Sequence, residues 1–148
     1  MNNVKKKRIL FNCTTNIVGG GKKNSLLFIV NSLNDSDVEW LYAVPSVIAD
    51  ELIQAGVDIG SLFIFHDSQS KSLSSRQKLK SLARSKNVDL VYTMAGPSYV
   101  GFDTVSVTGI SNAFLSNFSW KLIKHNRTLL ESCIEYMSLR YKLFYLKK

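Results

Sequence analysis

The chain has 148 residues, 45% of them hydrophobic and 20% charged, and its excess of Lys and Arg over Asp and Glu gives a formal charge of +8. This length accommodates one ordinary domain and excludes two of comparable size, while the apolar fraction excludes a disordered chain. The positive charge points to an anionic partner: nucleic acid, an acidic membrane surface or a phosphorylated ligand.

In chain order, "RILFNC" (Arg8 to Cys13) is a short apolar burst suited to a buried strand. Gly19, Gly20 and Gly21 follow as a turn, and Ser25 to Leu33 then sets Leu26, Ile29, Val30 and Leu33 at helical spacing. "NDSD" (Asn34 to Asp37) is a turn, and "VEWLYAV" (Val38 to Val44) has the β-branched and aromatic residues of a strand. Pro45 and Ser46 open a short helix, capped by Ser46 and closed by Gly56. "SLFIF" (Ser61 to Phe65) reads as the third strand. Ser74 or Ser75 starts a basic amphipathic helix, with Leu79, Leu82 and Ala83 inside and Arg76, Lys78, Lys80 and Lys86 outside. "VDLVYTM" (Val88 to Met94) and "TVSVTG" (Thr104 to Gly109) are the fourth and fifth strands.

Strands alternating with helices predict an α/β, Rossmann-like domain over residues 1–118, with a mostly parallel sheet covered by helices on both faces. Residues 119–148 break the alternation. Thr128 and Glu131 have capping-box spacing, and Leu130, Ile134, Met137, Tyr141 and Phe144 then recur every three or four residues. Lys121, Lys124, Arg127, Arg140, Lys142, Lys147 and Lys148 outweigh Glu131 and Glu135 there. The reading is a long basic, aromatic helix, with its apolar stripe packed on the sheet or on a second domain.

Cys13 and Cys133 are too far apart in sequence to suggest a disulfide framework, and with His66 and His125 isolated no metal site is expected. The basic start "MNNVKKKRILFNC" lacks the apolar core of a signal peptide, and no stretch approaches the ~20 apolar residues of a membrane span. A cytoplasmic protein is expected, with peripheral attachment to the inner face of a membrane as the sharper option.

The glycine turn fails both nucleotide fingerprints. For the phosphate loop of NTPases, Asn16 stands where the first glycine belongs and Lys23 where Ser or Thr must hold magnesium. For G-x-G-x-x-G, the third glycine falls on Asn24. What remains is either a permissive strand-to-helix bend or a set of helix-start N–H groups aimed above the sheet, where open α/β sheets bind ligands. Gly96, Pro97, Ser98 and Tyr99 leave the fourth strand on the same edge, as an ordinary turn or as hydroxyls and an aromatic face for a ligand.

The segments "ILFNCTTNIVGGGKKNSLLFIVNSL", "LVYTMAGPSYV" and "WKLIK…LRYKLFYLKK" together resemble the N-terminal half of bacterial glycosyltransferases of the two-domain GT-B fold, family-four type. The resemblance covers essentially the whole chain. It implies a domain that holds a glycan or lipid-linked acceptor, while a C-terminal domain grips the nucleotide-sugar. Gly19, Gly20 and Gly21 would lie near the donor diphosphate, and Gly96, Pro97, Ser98 and Tyr99 would line the acceptor side. No cofactor is implied, since the nucleotide-sugar enters as substrate. Lys22 and Lys23 are read as surface residues, and Asp50, Glu51, Asp67 and Asp89 are not expected to act as catalytic bases. The family's acidic pair and phosphate-binding residues belong to the C-terminal domain, so half an enzyme is expected, inactive alone. The alternative is a non-catalytic Rossmann-like interaction module needing a separately encoded partner. Nucleic-acid binding is not expected, because the basic residues are dispersed and no recognition motif accompanies them.

Overall fold

The computed structural model describes residues 6–57, 60–111, 123–124 and 128–146. The expected boundary at residues 118 and 119, Trp120 and His125 lie outside them. The elements are β1 (Lys7–Asn12), α1 (Gly19–Ser32), β2 (Val38–Pro45), α2 (Ser46–Gln54), β3 (Leu62–Phe65), α3 (Leu73–Ser85), β4 (Leu90–Thr93) and β5 (Val105–Thr108). A final helix, α4, spans Leu129–Leu146.

The five strands form one parallel sheet in the order β3-β2-β1-β4-β5. β1 lies at its centre, with Leu10 level with Leu41 of β2 and Val91 of β4. Period-two alternation sends successive side chains to opposite faces. Leu10, Leu41, Ala43 and Val91 form one buried core with Leu79 and Ala83 of α3. Phe11, Tyr42 and Val44 form the other with Ile29 of α1 and Ile48 and Leu52 of α2. Covering both faces is what makes the short strands read as continuous apolar runs.

Rings dominate the second core. Phe11 stacks on Phe28 with centroids 4.3 Å apart, and Phe28 meets the edge of Trp40 at 5.1 Å. The chain enters β2 over Asp35, whose carboxylate accepts from the Trp40 indole at 2.9 Å and from the backbone N–H of Asp37. The indole bond, with the backbone bonds, holds that carboxyl below its ordinary range.

Several boundaries differ from the sequence reading. The three glycines are the first turn of α1 rather than a loop before it: Val18 is still extended, and Gly19, at φ +64°, makes the whole bend. Pro45 holds the N-cap place of α2, and Ser46 is its first helical residue with no capping bond, because the fixed φ of proline carries the strand straight into the helix. Gly56 closes that helix at φ +71°, as expected. Ser72 caps α3, its hydroxyl accepting from the N–H of Ser75 at 3.2 Å. Ser75 instead faces inward, donating to the carbonyl of Asp67 at 2.7 Å. The capping box of α4 forms as read: Thr128 N–H donates to Glu131 Oε2 at 2.9 Å and Glu131 N–H to Thr128 Oγ1 at 3.3 Å.

Four of the five residues of the expected apolar stripe of α4 face outward, and the fifth, Tyr141, turns its hydroxyl to Arg76 of α3. Ser132 and Leu139 are buried, with Tyr136, Leu143 and Leu146 packed beside Leu139 and Ile123, whereas Leu130, Ile134, Met137 and Phe144 are exposed. The helix carries two interleaved apolar rows, and the one through Tyr136, Leu139 and Leu143 is turned inward.

Phe11 is the hub of the ring cluster and has no exposed surface. Phe11→Ala is expected to lower the unfolding free energy by about 3–5 kcal/mol, a large part of the ~5–15 kcal/mol typical of a domain. Urea denaturation followed by circular dichroism measures it; a loss under about 1 kcal/mol would show that this core does not hold the sheet to its helices.

Candidate functional site

The strand order reverses between β1 and β4. From β1 the chain winds through α1 to β2 and through α2 to β3, and α3 then returns it to the other side of β1. Open α/β sheets bind ligands at such a switch point, beyond the carboxyl ends of the two strands. A cleft of about 700 Å³ lies there. Its walls are Thr15, Asn16 and Ile17 after β1, the polar loop from His66 to Ser72 after β3, Gly96, Pro97 and Tyr99 after β4, and Lys142 of α4.

A buried lattice of hydrogen bonds holds the two central loops together. Met94 N–H donates to the carbonyl of Asn12 at 3.0 Å, extending the β1–β4 ladder. The Asn12 amide donates to Thr93 Oγ1 at 3.2 Å, and the Thr14 hydroxyl donates to Asn12 Oδ1 at 2.7 Å. The Asn16 amide donates to Ser25 Oγ at 2.9 Å and to the carbonyl of Met94 at 3.2 Å. Ser25 in turn donates to the carbonyl of Gly21 at 2.8 Å. Asn12, Thr14, Asn16, Ser25 and Thr93 are all buried. Buried polar groups are costly unless paired, so a lattice satisfied in this way fixes the cleft floor in one arrangement.

The expected glycines sit beside the cleft, not in its wall. Gly19 and Gly20 are exposed with open space where a Cβ would project, and Gly21 lies 3.3 Å from the Asn16 side chain by the same measure. The first turn of α1 contains no acidic residue and no side-chain cap, so its free N–H groups keep the positive end of the helix dipole unneutralised. Lys22 is engaged in an ion pair with Glu51 of α2. Asp89 accepts from the N–H of Arg8 at 2.8 Å at the start of β4, the far edge of the sheet from the cleft.

Of the four residues expected after the fourth strand, Gly96, Pro97 and Tyr99 line the cleft and Ser98 does not. Ser98 is buried, donating to the carbonyl of Val100 at 3.1 Å and accepting from its N–H at 3.3 Å, and borders a smaller cavity of about 320 Å³. The loop is held in costly backbone conformations, with Ala95 at φ +65° and Tyr99 at φ +59°.

Sequence reasoning missed the group that locks this loop. Arg76, read as an outward residue of α3, turns toward α4 and donates to Tyr145 Oη at 2.7 Å and Tyr141 Oη at 2.8 Å, as well as to the carbonyls of Gln69 and Ser70. The Tyr99 ring stacks on Tyr141 with centroids 5.9 Å apart, meets Tyr145 at 5.3 Å, and lies 5.6 Å from the guanidinium carbon. Burial, with a smaller push from Tyr141, raises the Tyr99 phenol above its ordinary range, while the hydrogen bond from Arg76 lowers that of Tyr141. The tyrosines four apart in "YKLFY" were the available signal. The run "HDSQSKS" after β3 was the signal for the third wall.

The cleft therefore joins hydroxyls, the His66 imidazole, the ammonium groups of Lys71 and Lys142 and the Asp67 carboxylate with part of one aromatic ring. Such a wall suits a hydroxyl-rich or anionic ligand held by several hydrogen bonds. Among the described residues no group of three or more His, Cys, Asp or Glu could hold a metal ion.

Two outcomes follow from these positions. Gly19→Ala is expected to lower stability by about 1 kcal/mol through its left-handed φ, while Gly20→Ala stays neutral or slightly stabilising; thermal melts of the two variants would contradict this by matching. Burial raises the Cys13 thiol from 9.0 to about 12, against a lowering contribution from Ser25, whereas Cys133 is exposed. Thiol titration of the native chain near neutral pH should therefore report one reactive group, and two after denaturation. Because thiolate formation favours the unfolded chain, this contribution to stability is intact below about pH 9 and lost as the pH rises toward about 12. Two thiols reacting at once in the native state would contradict the burial of Cys13.

No protein-family model matches the chain, and no curated protein sequence aligns with it significantly.

Proposed function

We propose that this domain is the acceptor-side half of a GT-B glycosyltransferase of the family-four type, moving a sugar from a nucleotide-sugar to a glycan or lipid-linked acceptor. The observation that carries the reading is that the loops after β1 and β4 open on one rim, over a single polar cleft at the switch point of a Rossmann-like sheet. In this reading the acceptor lies in the cleft against Gly96, Pro97 and Tyr99, where hydroxyls and the two ammonium groups orient it. The N–H groups of Gly20 and Gly21 stand at the near edge, where they would face negative charge developing on the donor's leaving phosphate. The nucleotide-sugar would be gripped by a second Rossmann-like lobe, on the same polypeptide or a separate one, and transfer would take place between the two. The basic surface suits an acceptor anchored at an anionic membrane, reached from the cytoplasmic side. No helix among the described residues is long and apolar enough to cross a bilayer.

The exposed row of α4 favours a second reading, a non-catalytic module whose role is assembly with a partner. Amide chemical shifts distinguish the two. Titration of the purified chain with a panel of short oligosaccharides is expected to move the resonances of Thr15, Asn16, Ile17, Gly96 and Tyr99. Adding UDP- or GDP-sugars should produce no transfer without a second lobe. A panel that leaves those amides unmoved would overturn the acceptor-site reading, and sugar transfer by the isolated chain would overturn the half-enzyme reading.

A further inference from the structure

The wall of the cleft after β3 is built to donate hydrogen bonds. Five of the six carbonyls from Asp67 to Ser72 are occupied from α3 or from within the loop. The Asp67 carbonyl accepts from the Ser75 hydroxyl, and that of Ser68 from the N–H groups of Lys71 and Ser72. Those of Gln69 and Ser70 accept from the Arg76 guanidinium, and that of Ser72 from the Arg76 N–H. The same loop lines the cleft through Ser68, Ser70, Lys71 and Ser72. Ser72 Oγ accepts from the N–H of Ser75, which leaves its own hydrogen for another acceptor. Ser68 and Ser70 share one hydrogen across 2.9 Å, and the second is left over.

Charge follows the same pattern. Lys71 of this loop and Lys142 of α4 both line the cleft. Arg8, Lys22, Lys80 and Arg84 each pair with a carboxylate, whereas no carboxylate among the described residues lies within 4.0 Å of the ammonium group of Lys71 or Lys142. Asp67 is the one carboxylate among the described lining residues. The first turn of α3, which rises from this loop, holds no acidic residue, so its dipole adds to the attraction for an anion.

These two surpluses choose the ligand. A neutral sugar hydroxyl both gives and takes a hydrogen bond, and this wall has turned most of its acceptors toward α3. A planar carboxylate is matched best by a guanidinium fork, and that of Arg76 is engaged by tyrosines and carbonyls. A phosphate brings a charge of about −1.5 to −2 and three acceptor oxygens, which ammonium groups and hydroxyls can meet from several directions. We infer that the ligand of this cleft bears a phosphate group, held by Lys71, Lys142 and the hydroxyls of the β3–α3 loop. The inference deepens the acceptor-site reading: where that reading holds, the acceptor brings its phosphate into the cleft.

Amide chemical shifts of the whole chain test it, in titrations at constant ionic strength with hexose 1-phosphates, the same hexoses unphosphorylated, and inorganic phosphate. A hexose 1-phosphate is expected to move the amides of Ser70, Lys71 and Ser72 and to bind about tenfold or more tightly than its parent hexose. Lys71→Ala and Lys142→Ala should each weaken it about tenfold, and Asp67→Asn should tighten it. Lys7→Ala, at the amino end of β1 and the opposite end of the sheet, should leave it unchanged. None of these four side chains is buried, and an unaltered circular dichroism spectrum separates lost binding from lost folding. A methyl diester that binds as tightly as the monoester identifies a lipid-linked phosphate, and a weaker one a free sugar phosphate; either sustains the inference. Inorganic phosphate binding as tightly as every hexose phosphate also sustains it, and counts against the acceptor reading instead. Hexoses binding as tightly as their phosphates, or binding indifferent to both lysines, overturn the inference and leave the acceptor reading standing. A cleft that none of the three perturbs overturns it as well, since inorganic phosphate carries the required group whatever the sugar.

Discussion

Two neighbouring parallel strands whose connections leave in opposite directions create a gap that no crossover helix can fill. β1 and β4 stand in that relation, and the rest of the molecule follows from how the gap above them is closed. Here it is closed by polar groups. Asn12 reaches across to Thr93, and Asn16 reaches from the β1 loop to both the Met94 carbonyl just past β4 and Ser25 in the second turn of α1. Because each of these groups is buried, an alternative arrangement would strand amides or hydroxyls away from water. The floor of the cleft is rigid for that reason, and its opening is left to the loops around it.

The same constraint explains the strain above β4. A loop leaving the sheet at the switch point must turn sharply to clear the β1 loop, and Ala95 and Tyr99 do so in left-handed conformations that cost energy for residues with a Cβ. The cost is offset at Tyr99 by the rings of Tyr141 and Tyr145 and by the guanidinium of Arg76, which is itself held by two loop carbonyls. α4 thus belongs to the cleft: Tyr141 and Tyr145 fix the strained loop, and Lys142 reaches the wall. A cleft of fixed floor and clamped rim is suited to holding a ligand in one orientation.

The sheet was legible because burial on both faces leaves its strands as apolar runs too short for helices, and "RILFNC", "VEWLYAV" and "SLFIF" each fall on an observed strand. Caps were less legible, since a serine beside a helix start competes with its neighbours: Ser72 won over Ser74 and Ser75 through a bond that depends on the loop before it. Of the three glycines read as a turn only Gly19 is the bend, and Gly20 and Gly21 are helix, because the low helix propensity of glycine argues against a helical turn that the rest of α1 imposes. In α4 the periodicity was real and its direction was not readable, as two rows of equal repeat differ only in what they meet. The roles of Asn16 and Arg76 were not legible because each also bonds a partner far along the chain, 78 and 69 residues away, and only the fold brings these together. For function the sequence offered an expectation from likeness of motifs alone, since composition and charge reach no further than an anionic partner.

Amide hydrogen exchange at Met94 and Gly109 tests the central claim most directly, because their N–H groups carry the ladder past the ends of β4 and β5 to the carbonyls of Asn12 and Thr93 at the cleft floor. If the floor is as rigid as the lattice requires, both amides exchange only through global unfolding, as slowly as those within β1. Exchange at the rate of open loop amides would mean that the two strand ends part freely, and no fixed cleft would exist between them.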